Sequence, residues 1–217
     1  MISAASTAGF IQLTKQIQPA PRQVYKNSKH EEALGLWHIL HLFLLNLSMG
    51  GLFLVLSHSL LSDTSSQGFL EGPSLYFMGF WAAMLVLIFY PRKSIETPAK
   101  GLLCIVLMGI LLIASGHAPG ILVLTGFAQG FAINHISAFI QSHLSHQRYA
   151  YFESKAQTFG RIAMLISVFC TGYLLDTGIT APTLRANIGV CLVISGLLLG
   201  VFGRYFQVFS LSVGSTD

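Results

Sequence analysis

Six apolar stretches divide this chain of 217 residues, and its positive charges gather in every second gap between them. Each stretch is roughly 17 to 25 residues long, enough for a helix to cross about 30 Å of hydrocarbon. They predict membrane-spanning helices over Ala33 to Ser57, Pro73 to Pro91, Ala99 to Ser115, Pro119 to Gln141, Gln157 to Leu175 and Ala186 to Val208. The segment before the first stretch carries Lys15, Arg22, Lys26 and Lys29, the second gap carries Arg92, Lys93 and Lys100, and the fourth carries Arg148 and Lys155. Arg161 and Arg204 lie at the span ends facing the same side, which leaves Arg185 as the one basic residue of 12 on the other side. The positive-inside bias makes the basic side cytoplasmic, at a plasma or inner membrane, and puts both termini there.

Only 9% of residues are charged and 53% are hydrophobic, whereas soluble domains carry about 25% charged residues. The expected fold class is therefore an all-α membrane protein of six transmembrane helices. Its parts are a polar cytoplasmic leader over residues 1–32, a six-helix domain over 33–208 and a short tail over 209–217. In the leader, Phe10, Leu13 and Ile17 recur at helical spacing before Pro19 and Pro21, a pattern for a short surface helix. The net charge of +4 is already explained by cations facing anionic lipid, so membrane lipids and no nucleic acid are the expected partners. Cys104, Cys170 and Cys191 fall inside the apolar stretches without metal-site spacing and read as small apolar residues.

Polar side chains inside hydrocarbon are costly and mark either helix contacts or functional sites. In the fourth stretch Gly126, Gly130, Asn134, Ser137 and Gln141 share one narrow helical face, which either packs on another helix or lines a wet cavity. Phe131 and His135 lie opposite, and Gln129 is a further polar side chain of this stretch. In the first stretch, His38, His41, Leu45, Ser48, Met49 and Leu52 form one stripe. The two histidines read as interfacial, and Asn46 near the midplane is the stronger site candidate. Gly196 and Gly200 make a GxxxG pair in the sixth stretch. Arg161 either reaches headgroups or pairs with Glu153 as a cytoplasmic gate, and Asp176 is placed to pair with Arg185 across the outer loop.

The pattern resembles one six-helix half of a major facilitator superfamily transporter, over roughly residues 34 to 205. The features that carry the resemblance are the basic loop at Arg92 and Lys93, the Gly126 to Gly130 spacing, the segment His146-Gln147-Arg148-Tyr149-Ala150, Gly160, and Gly172-Tyr173-Leu174-Leu175-Asp176. Pro91 stands where the family's loop has an acid. The resemblance implies alternating access of a small solute, with the leader in the place of the linker and this chain as the C-terminal half. The cavity would lie between two halves, so the chain would act as a homodimer or with a second half. Candidate substrate contacts are then Asn46, Gln129, Asn134 and His135. Candidate gate charges are Arg92, Lys93, Glu153 and Arg161, and Gly126, Gly130, Gly172, Gly196 and Gly200 pack helices.

Other function classes fit less well. Haem ligation by His41 with His135, or His58 with His117, finds no helix pair with two matched ligand levels. A serine protease built on Ser115 lacks a histidine in the fifth and sixth stretches. No enzyme, cofactor or metal is expected. The remaining alternative is a scaffold or a remnant half that does not transport.

Overall fold

The computed structural model describes residues 28–62, 73–89, 97–114, 120–206 and 208. The leader up to residue 27, the basic pair Arg92 and Lys93, Ser115, His117 and the tail from 209 lie outside the described residues. The described chain is helical, with no strand: α1 Ser28–Met49, α2 Leu52–Ser62, α3 Pro73–Ile88, α4 Ala99–Ala114, α5 Gly120–His143, α6 His146–Asp176 and α7 Ala181–Tyr205.

Four helices are long and apolar enough to cross a membrane: Lys29–His58, which joins α1 to α2, and α5, α6 and α7. The two shorter apolar helices, α3 and α4, have 16 described residues each, a rise of roughly 24 Å. α1 and α2 are nearly continuous, because Gly50 N donates to Asn46 O at 2.8 Å and Val55 N donates to Gly51 O at 3.0 Å. The join bends at the glycine pair, where Gly51 N donates instead to the Ser167 hydroxyl of α6 at 2.9 Å. A side chain inserted into the helical ladder is a recognised cause of such a bend.

Segment 146–150, read from the sequence as loop, is the start of α6. No proline or glycine interrupts residues 146 to 159, so helix formation there is unopposed. The resulting 31-residue helix is roughly 46 Å long, more than a bilayer core needs. Its first turns project beyond the apolar stretch that begins at Gln157.

Glycines set the helix neighbours. α1 and α6 run parallel, with Gly35 against Phe152, Gly160 against Asn46, Gly50 against Met164 and Gly51 against Thr171. α3 and α5 also run parallel: a Cβ on Gly79 would fall 1.8 Å from Val123 O, and one on Gly126 would fall 1.9 Å from Tyr76 O. Further along the same pair, Gly130 faces Phe80 and Ala83. α4 and α7 are antiparallel, in contact at Gly109 with Gly189 and at Val106 with Gly196. The start of α4 at Gly101 meets Ile136 near the end of α5, while Trp37 and Ser48 of α1 reach Leu199 and Ser195 of α7 in the opposite order. Direction thus reverses from each apolar stretch to the next. Among the described residues Lys29, Lys100, Arg148, Lys155 and Arg204 collect at one end, and Arg185 lies at the other.

These contacts form a regular scheme. The first stretch pairs with the fifth, the second with the fourth and the third with the sixth, and secondary contacts join third to fourth and first to sixth. Exchanging the first three stretches with the last three leaves that scheme unchanged. The interior holds Trp37, Ile105, Met108, Ile136, Phe139 and Leu192, while Trp81, Phe89, Phe169 and Tyr173 are more than 60% exposed. So large an exposed apolar surface is foreign to soluble monomers. Two packing expectations are altered: among the described residues Gly172 makes only an ordinary contact with Leu54, and Gly200 has nothing within 4 Å of its Cβ position. Asp176 and Arg185 form no ion pair among the described residues.

Gly126→Ala should lower the thermal midpoint in detergent by several degrees, because the new methyl meets backbone and overpacking costs about 1–3 kcal/mol. Gly200→Ala should leave the midpoint unchanged or raise it, since its methyl enters open space and alanine favours a helix by about 1 kcal/mol. Equal midpoints for the two variants would contradict the α3–α5 packing.

Candidate functional site

The midplane polar residues are distributed among different helix contacts. Asn46 sits between α1 and α6, where its Nδ2 donates to Leu42 O at 2.7 Å and lies against Gly160. Asn134 sits between α5 and α3, with Nδ2 donating to Gly130 O at 2.7 Å and approaching Met84 Sδ at 2.9 Å. Each asparagine returns one donor to its own helix four residues back, which lowers the cost of burying the amide. The stripe of Gly126, Gly130 and Asn134 is therefore a packing face against α3. Gln129 is half-buried, and its Oε1 has no hydrogen-bond partner among the described residues. His135 is fully buried and stacks on Phe131 at a centroid distance of 5.4 Å.

A tighter polar cluster lies at the basic end, around two residues that the sequence places at an interface. His38 and His41 are both 0% exposed. His38 is covered by the first turns of α6, whose Tyr149 ring and Glu153 carboxylate lie against it, and His41 lies behind it, against Trp37 and His38. His38 Nε2 lies 2.7 Å from Glu153 Oε2. An ionised carboxylate only accepts, so Nε2 carries the proton and donates. Glu153 Oε1 accepts a second bond from Gln157 Nε2 at 2.8 Å, and Tyr149 adds a third to the same carboxylate. Arg148 Nε donates to Glu31 Oε2 at 2.9 Å, a second tie between the same two helices.

His41 lies one turn further in, 6.2 Å from His38 and stacked on Trp37 at 5.9 Å, and Trp37 Nε1 donates to Leu199 O of α7 at 3.0 Å. Both ring nitrogens of His41 and Nδ1 of His38 are buried without hydrogen-bond partners among the described residues. Deeper still, the Ser48 and Ser195 hydroxyls are 3.1 Å apart. The first span thus presents a file of polar groups from Glu31 to Ser48 towards α6 and α7.

The cluster reassigns one proposed gate residue. Glu153 is taken by His38 inside the bundle, while Arg161, its anticipated partner, is exposed on α6. The sequence did show the His38, His41 and Ser48 stripe. It gave no sign of Glu153, 115 residues away, as the partner.

Electrostatics follow the geometry. The His38 hydrogen bond, helped by Gln157, His38's charge and Tyr149, holds the Glu153 carboxyl down to about 2 despite its partial burial. Burial, with the neighbouring Glu153 carboxylate, pushes the Tyr149 phenol up to about 12. A depressed carboxyl contributes stability above its ordinary range near 4.5 and loses it as pH falls towards the folded value. Thermal midpoints between pH 5 and pH 3 should therefore fall in the native protein and fall less steeply in Glu153→Gln, which should also start lower at pH 6. His41→Leu should raise the midpoint at pH 7, because removing a buried unpaired polar ring relieves about 1–3 kcal/mol. A lower midpoint would mean that its nitrogens are satisfied by water or a partner.

No protein-family model, curated protein or solved structure matches this chain, so its chemistry rests on the geometry of these residues.

Proposed function

We propose that this chain is a six-span integral membrane protein with both termini cytoplasmic, and that it is one half of a small-solute transporter of the major facilitator kind. It works by alternating access once paired with a second half, most simply another copy of itself. The observation that carries the reading is the pairing scheme of its helices, which is unchanged when the first three stretches and the last three are exchanged. Because direction alternates and each set has an odd number of helices, the two sets are inverted relative to one another. Inverted three-helix repeats of this kind are the building unit of such transporter halves.

In this reading α3 and α4, with 16 described residues each, are the second and third spans. His38–Glu153 and Arg148–Glu31 hold the first and fifth spans together, so that the half moves as one rigid body. The described gate charge left to face a second half is Arg161, which is exposed on α6, and Arg92 and Lys93 lie outside the described residues. Gln129 leads the solute contacts, because its buried Oε1 has no partner among the described residues. Asn46 and Asn134 sit in helix contacts and His135 is fully buried, so these three candidates stand behind Gln129. A non-transporting scaffold is the second reading, favoured by the position of Asn46 and Asn134 inside helix contacts.

Native mass spectrometry in nanodiscs should give a homodimer, and Gln129→Ala should reduce solute flux without changing that mass. A stable monomer with no flux would leave the scaffold reading. For the orientation, single cysteines at exposed Ser145 and Thr180, in a background lacking Cys104, Cys170 and Cys191, should differ in right-side-out vesicles. An impermeant maleimide should label Thr180→Cys at once and Ser145→Cys only after permeabilisation.

A further inference from the structure

α4 and α7 touch closely at Gly109 with Gly189 and at Val106 with Gly196, and then separate towards the basic end, where the Cβ position of Gly200 has nothing within 4 Å among the described residues. The separation leaves an open groove of about 600 Å³ on the outer surface of the bundle, with walls that include Leu103 and Val106 of α4 and Gly200 and Val201 of α7. The lining is apolar except at the mouth, where Arg204 closes the lining set. Arg204 is exposed and has no ion-pair partner among the described residues, where Glu31 is taken by Arg148 and Glu153 by His38.

We propose that this groove binds one acyl chain of an anionic phospholipid, whose phosphate is held by the Arg204 guanidinium. The site rests on the membrane orientation proposed above, which makes the mouth cytoplasmic. From Gly196 to Arg204 the wall rises roughly 12 Å, less than half of the roughly 30 Å hydrocarbon core. The groove therefore lies within one leaflet, the cytoplasmic one, where anionic lipid attracts basic residues. A guanidinium suits this role because its planar donors bind a phosphate in pairs. A second copy of the chain is a poorer occupant. A twofold axis normal to the membrane would bring two α7 helices together with both Arg204 charges at the same level, which like-charge repulsion opposes.

The experiment is native mass spectrometry of the full chain released from nanodiscs containing equal phosphatidylglycerol and phosphatidylcholine. The native protein should retain one phosphatidylglycerol in preference to phosphatidylcholine. Arg204→Gln should reduce that preference about fivefold, the effect of one interfacial cation. Gly200→Leu, whose side chain enters open space, should abolish retention of either lipid while keeping the native thermal midpoint. Retention without headgroup preference, or retention unaffected by both variants, would overturn the site. So would a dimer that Gly200→Leu dissolves with no change in bound lipid, because the groove would then seat a second copy. Lipid retention is read without flux, so a protein that fails to transport but binds lipid in this way would sink only the transport reading. Labelling of Ser145→Cys from outside would overturn the orientation on which both rest.

Discussion

The structure depends on backbone touching backbone. At Gly79 and Gly126, and again at Gly109 and Gly189, each glycine of a pair faces a carbonyl of the opposing helix so closely that a methyl group would fall under 3 Å from it. Burying apolar surface gives helices little reason to associate when the surroundings are hydrocarbon, and dispersion between closely fitted surfaces takes over. Bulky side chains are accordingly free to face outward as well as inward, and Trp81, Phe89, Phe169 and Tyr173 are exposed while Trp37 and Phe139 are buried. Small residues hold the interior seams, the reverse of the usual soluble arrangement.

Polar groups follow from that close packing. Asn46 and Asn134 occupy contacts opened by Gly160 and Gly130, each bonding its own helix, so their amides are accommodated in the seams. The stronger polar interactions concentrate at the basic end, where the α6 extension lies over α1. There Glu153 gathers His38, Gln157 and Tyr149. His41, one turn further in, has both ring nitrogens buried without a hydrogen-bond partner among the described residues. Burial without partners is costly enough that such groups usually have a water, a proton or a ligand to meet.

Several features were legible in the sequence and others were not. The stripe of Gly126, Gly130 and Asn134 was visible as a face that packs or lines a cavity, and its position against α3 selects packing. His38 looked interfacial because the residues that cover it, Tyr149 and Glu153, come more than a hundred positions later. Gly200 looked equivalent to Gly196, but the two differ because α4 approaches one and diverges from the other. A GxxxG spacing records that a close approach is permitted, and carries no information on whether a neighbour takes it.

By itself the sequence determined that the chain is helical, where its apolar stretches run, and that its cations gather at alternate ends of them. Each of these properties is local: it depends on side-chain transfer energies and backbone hydrogen bonds within one segment. Only the tertiary structure decided which helices become neighbours and which acid His38 meets. Glycine stripes on several helices are interchangeable as patterns, and the choice among them comes from the fit of whole surfaces. Likewise Glu153 had Arg161 as a plausible partner two turns along its own helix, yet the parallel packing of α1 on α6 gives its carboxylate to His38.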